Sequence, residues 1–151
     1  MEKHDFYAFH GVCGVYCGQC ASGNGRIKDL AKELRRLTAG LLDYKPDFDE
    51  FDFSEFRKGL KWLDEDFGCP TCLKLDDYWC AVMKCEKAKE LKSCLLCDDY
   101  PDCPKTEYQR VRYPFVLDHH KRVKEVGLEQ HLKEERRRAK DGLLLHDIRT
   151  Y

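Results

Sequence analysis

The sequence predicts a mainly α protein: a small single domain over 1–151, with amphipathic helices packed around a cysteine-rich, metal-stapled irregular segment. Three observations lead there. Apolar residues recur at helical spacing on both sides of the chain's middle, the stretch from Cys69 to Cys103 has little periodicity of any kind, and ten cysteines fall into two groups of short spacing. A chain of 151 residues can bury one core but is short for two of ordinary size.

Taken in order, the first cysteine group (Cys13, Cys17, Cys20) runs into a turn at Ser22-Gly23-Asn24-Gly25. Ile27, Leu30, Ala31, Leu34, Leu37, Leu41 and Leu42 then make one helical face, with Lys28, Asp29, Lys32, Glu33, Arg35 and Arg36 expected opposite it. After a loop at Pro46, Asp52 is placed to cap a helix with Glu55 at its third position. Phe53, Phe56, Leu60 and Leu63 form the core face, and Gly68 is the expected stop. Only a short helix, around Lys84 to Lys92, is expected inside the cysteine-rich segment. Beyond it, Pro114 suits a first helical position, Val116, Val123 and Val126 supply contacts, and Gly127 ends the helix. A last helix is expected from Leu128 towards Asp141, closed by Gly142, with 143–148 extended against the core.

The cysteine spacings point to metal. Cys17/Cys20, Cys69/Cys72 and Cys94/Cys97 each leave two residues between thiols, which lets both sulfurs converge on one cation across a tight turn. The candidate ligands are Cys13, Cys17, Cys20, Cys69, Cys72, Cys80, Cys85, Cys94, Cys97 and Cys103. A disulfide framework is the rival. The opening Met1-Glu2-Lys3-His4-Asp5 leads into no apolar run of signal-peptide length, so the expectation is a reducing cytoplasm.

Cys69-Pro70-Thr71-Cys72 resembles a zinc knuckle, and with Cys80 and Cys85 it could close one tetrahedral site. Cys94, Cys97 and Cys103 could share another with the amino-terminal three. Zinc is the favoured occupant. A [4Fe-4S] cluster is the alternative, because three-thiol groups and Cys103-Pro104 suit it too. The spacing Cys13-x3-Cys17-x2-Cys20 also occurs in radical-SAM enzymes, but the strand-helix repeats of such a barrel are missing.

Other candidates carry less. Of His4, His10, His119, His120, His131 and His146, solvated or helix-packing roles are expected for most. His119 and His120 diverge on one helix, and His10 stands nearest a cysteine group. Arg136-Arg137-Arg138 with Lys133 and Lys140 is interleaved with Glu129, Glu134 and Glu135, so local ion pairs explain it without nucleic acid. Tyr7, Tyr16, Tyr78, Trp79, Tyr100 and Tyr108 are expected to shield the metal sites. The net charge of −1 hides an acidic middle, with 9 Lys+Arg against 16 Asp+Glu over 43–104, and a basic tail, with 12 against 8 over 105–151. No stretch is long and apolar enough to cross a bilayer.

The run Cys13-Gly14-Val15-Tyr16-Cys17-Gly18-Gln19-Cys20, the later Cys-x2-Cys pairs, Cys80-Ala81-Val82-Met83-Lys84-Cys85 and Cys94-Leu95-Leu96-Cys97-Asp98-Asp99-Tyr100-Pro101 resemble a known pattern. It is that of the small bacterial and archaeal proteins grouped as domain of unknown function 3795. All ten cysteines have counterparts in that pattern, and 124–129 and 141–149 are similar to its tail. Asp102, which lengthens the turn before Cys103, and Ala21-Ser22 depart from it. The resemblance implies a metal-binding cysteine-rich protein and brings no reaction with it.

The expected function is therefore a cytoplasmic protein with structural zinc sites, serving as an interaction or accessory protein for an unidentified protein partner. Iron-sulfur electron transfer is the first alternative, and metal storage or delivery the second. Enzymatic turnover is not expected: no catalytic residue is assigned, Ser22, Ser54 and Ser93 lie in no nucleophile motif, and Asp76, Asp77, Asp98 and Asp99 read as solubilising residues beside the thiols.

Overall fold

A computed structural model describes residues 6–40, 51–69 and 80–148. Among the described residues the protein is helical. It contains α1 (Arg26–Leu37), α2 (Phe53–Glu65), α3 (Glu86–Glu90), α4 (Glu107–Arg112), α5 (Val116–Val126), α6 (Leu128–Lys140) and α7 (Leu145–Ile148). Single 3-10 turns lie at Phe6–Phe9, Cys17–Gln19, Cys94–Leu96 and Pro104–Thr106, and extended pairing is limited to one bridge, His10 to Tyr16. The chain forms two compact units: Ala21–Cys69, and Met1–Cys20 with Pro70–Tyr151.

The unit Ala21–Cys69 is built from α1 and α2. Gly25 enters α1 in the left-handed region (φ 85°), where a glycine avoids the Cβ penalty, and Asn24 Oδ1 accepts from Arg26 N at 3.0 Å. Asp52 Oδ1 accepts from Glu55 N at 2.9 Å, the cap its position predicts. The helix stops at Glu65, and Asp66 N donates to Trp62 O, so Gly68 lies three residues past the end.

The apolar face expected on α1 divides in two. Ala31 and Thr38 are buried with Ile27 and Arg35 partly so, whereas Leu30 and Leu37 are 60% and 61% exposed. One partner helix covers only part of so wide a stripe. Arg35, expected on the polar side, lies instead on the covered line and pairs with Asp64 and, at 3.1 Å, with Glu65.

In the other unit the core gathers Val12, Val15, Val82, Leu95, Val116, Val123 and Leu132 with their neighbours. Leu95 is fully buried, and a Cβ on Gly14 (φ 92°) would come within 2.7 Å of its side chain, so only glycine fits there. Cys94 N donates to Val12 O at 2.7 Å, and Gln109 Nε2 donates to Cys13 O.

Gly127 (φ 82°) alone joins α5 to α6, as the expected stop requires, and α5 begins at Val116, two residues after Pro114. α5 turns Val116, His119 and Val123 inward, while α6 turns in Leu128, His131, Leu132 and Glu135. Helix α4 gives no amphipathic signal because Tyr108 and Val111 are exposed and Gln109 is its buried residue. The extended 143–148 segment is corrected: Leu145–Ile148 is a helical turn, begun where Asp147 Oδ2 accepts from Leu144 N at 3.2 Å.

Candidate metal centre

Four cysteines, Cys85, Cys94, Cys97 and Cys103, line one cavity of about 120 Å³. They arrive on three turns, with Cys94 and Cys97 sharing one. Cys85 precedes α3, Cys94 opens a 3-10 turn capped by Ser93 Oγ, which accepts from Leu95 N at 3.2 Å, and Cys97 closes that turn through Cys97 N to Cys94 O at 3.0 Å. Cys103 is held by its own carbonyl, which accepts from Thr106 Oγ1 at 2.8 Å and from Arg110 Nη1 at 3.0 Å.

The electrostatics of the cavity are graded. At Cys85 a backbone amide at Ala88, then the ammonium of Lys105 3.5 Å from the sulfur, lower the thiol's pKa. Burial pushes the Cys94 thiol up to about 12, with further raising by Cys13, Cys85, Cys103 and Cys97. Cys97 Sγ lies 3.6 Å from Asp99 Oδ2, which pairs with Lys87 at 3.0 Å.

The same neighbourhood reaches the amino-terminal group. Cys13 bears on the Cys94 thiol, and a Cβ on Gly11 would stand 3.3 Å from Cys13 Sγ and 3.8 Å from Cys17 Sγ, so those two sulfurs flank one point. Cys20 and Cys80 pack against the core, partly buried. Cys69 is exposed at the end of the other unit, and Cys72 lies outside the described residues, as do Asp76, Asp77, Tyr78 and Trp79. The knuckle expected from Cys69 and Cys72 is therefore not described, and Cys85 faces Cys94, Cys97 and Cys103. None of the nine described cysteines is in a disulfide.

The donor set suits a soft or borderline cation: thiolates attract zinc and iron, and lysines beside them offset the negative charge that four thiolates bring. Tyr16 and Tyr100 are buried, in keeping with shielding, whereas Tyr108 is exposed. The basic run is neutralised locally, Arg138 by Glu135 at 3.1 Å and Lys133 by Glu129 at 2.8 Å.

A second polar cluster is assembled without cysteine. His119 Nδ1 meets Gly14 O at 3.3 Å, its Nε2 lies 3.6 Å from Glu135 Oε2, and its ring centroid is 4.6 Å from that of His131. Gln19 Nε2 donates to Glu135 Oε2 at 2.7 Å. His10 is buried nearby, its pKa brought down to about 4 by burial and then by His119; His131 falls to about 3 for the same reason, burial first. His120 diverges as expected, meeting Leu95 O at 3.0 Å. His119, His131 and Glu135 were not expected together. The available signal was the four-residue interval from His131 to Glu135 and the inward register of His119 with Val116 and Val123.

Among the described residues no helix is long and apolar enough to cross a membrane. No curated protein and no solved structure matches the chain significantly. A family model does match, over residues 9–108, a span that takes in all ten cysteines and stops before α5. The chain thus belongs to the family described as protein of unknown function DUF3795.

Proposed function

We propose that this is a cytoplasmic metal-binding protein in which Cys85, Cys94, Cys97 and Cys103 hold zinc at a closed four-thiolate site. The observation behind the reading is that four thiols from three turns line one cavity. Bound there, zinc supplies a tetrahedral cross-link and no chemistry of its own. The other cysteines, Cys13 and Cys17 first among them, are candidate ligands of a neighbouring site. In this reading the chain acts through a protein partner and not by turnover: Ser93 Oγ, the buried hydroxyl nearest the thiols in sequence, is engaged as a cap.

A [4Fe-4S] cluster is the second reading, favoured by the nearness of Cys13 to these thiols and by the Cys103-Pro104 pair. Elemental analysis of anaerobically purified full chain decides between them: zinc and no colour supports the first, iron with sulfide and a brown colour the second. The variant Cys94→Ser should lose the metal of that site, and metal content equal to wild type would overturn both.

A further inference from the structure

The buried trio His119, His131 and Glu135 has no part in the thiol site. One ring nitrogen from each histidine and one carboxylate oxygen all lie within 4.8 Å of one another. Helix α5 brings His119 on its inward line, and α6 brings His131 and Glu135 four residues apart, one above the other on a single face. His131 and Glu135 are each only 2% exposed.

The hydrogen bonding orients the ligand atoms. The Gly14 carbonyl can only accept, so His119 Nδ1 carries the proton that meets it, and Nε2 turns to Glu135 Oε2. A backbone carbonyl holding the far nitrogen is the partner that metal-bound histidines commonly have. The 3.6 Å from Nε2 to Oε2 is long for a hydrogen bond. It matches two ligands on one ion, which at about 2.1 Å from the metal and at tetrahedral to trigonal angles stand about 3.4–3.6 Å apart. Independently, His131 Nδ1 is buried with no hydrogen-bond partner, and so is Gln19 Oε1, whose amide nitrogen is already on Glu135. Arg138 holds the other carboxylate oxygen, Glu135 Oε1, at 3.1 Å, so Oε2 is the oxygen left facing the imidazole nitrogens, and His131 Nδ1 beside it stays unmatched.

We propose that His119, His131 and Glu135 form a second metal site, separate from the thiols, that takes a divalent first-row transition ion such as zinc through two imidazoles and one carboxylate. The ion ties α5 and α6 together. Gly14 and Gln19, bonded to His119 and Glu135, carry that tie to the amino-terminal segment. The competing arrangement is a proton-bridged network with no metal.

Cadmium separates the two sites, since thiolate-bound and nitrogen- or oxygen-bound cadmium give well-separated resonances. The full chain, stripped and reloaded anaerobically with spin-active cadmium, should give one nitrogen/oxygen-type resonance. It should vanish in His131→Gln and in Glu135→Gln while thiolate-type resonances persist, and zinc-loaded variants should hold one equivalent less per chain. A wild-type spectrum without the nitrogen/oxygen-type resonance overturns the site, leaving a proton network, as does survival of that resonance in both variants. If neither variant folds, coupling of cadmium to imidazole ring protons in the wild-type chain decides: present supports the site, absent overturns it. Loss of the thiolate resonances alone strikes the cysteine reading and leaves this one standing.

Discussion

The two compact units are held by different kinds of bond. In Ala21–Cys69 the specific interactions span at most 30 positions: a cap from Asp52 to Glu55, ion pairs of Arg36 with Glu33 and Lys58 with Glu55, and reaches across the pair from Arg35 to Asp64 and Glu65 and from Arg57 to the Ala39 carbonyl. Among the described residues its buried ones are few: Ala31, Thr38 and Leu60. The cysteine-bearing unit instead depends on polar bonds over 96 to 116 positions of sequence, Gln109 to Cys13, His119 to Gly14 and Gln19 to Glu135. Closing such long loops costs chain entropy before any contact forms, so this unit would gain most from the metal cross-links proposed for it.

Removing metal should give the largest separation. With a strong chelator, amide exchange over 80–103 should lose its protection while α1 and α2 keep theirs; equal behaviour of both units would end the contrast. Next come core truncations. Leu95→Ala should cost about 2–5 kcal/mol in denaturant unfolding because the side chain has no exposed surface, whereas Leu30→Ala, on the uncovered line of α1, should stay within about 0.5 kcal/mol. Comparable values would mean that the face of α1 is covered in solution.

Acid should also distinguish the units. Burial brings the His10 pKa down from its ordinary 6.5 to about 4 on folding. Between those values the unfolded chain binds the proton and the folded chain does not, so stability falls as pH drops from 6.5 towards 4. His10→Asn should make that limb shallower in the cysteine-bearing unit, where His131 still contributes, and leave α1 and α2 unchanged. The smallest effect belongs to the cap: Asp52→Ala should lower stability by about 1 kcal/mol, read in the helical signal of α2.

How far each unit could be read beforehand follows from the same contrast. Asp52 at the N-cap and Gly127 as a stop act within a turn of themselves, so their signals are complete in a few residues. The α1 stripe misled because periodicity tells which residues share a face, not how much of it a partner will cover. Arg35 is the consequence, partly buried and ion-paired where a polar face was expected. Helix α4 escaped notice because its buried residue is Gln109, a polar side chain aimed at a backbone carbonyl 96 positions away.

By itself the sequence determined the helical class, the cap at Asp52, the stop at Gly127 and the family pattern, because each depends on residues within about one helical turn or on spacing alone. Only the tertiary structure decided which thiols share a cavity, with Cys85 beside Cys94, Cys97 and Cys103 and Cys13 next to them. It alone also brought His119, His131 and Glu135 together. Their meeting depends on the one-residue junction at Gly127, which lays α5 against α6, and on Gly14 and Gln19 arriving from the far end of the chain. Such convergence is a property of packed elements: no local interval encodes it, because the groups that complete it are more than a hundred residues apart in the chain.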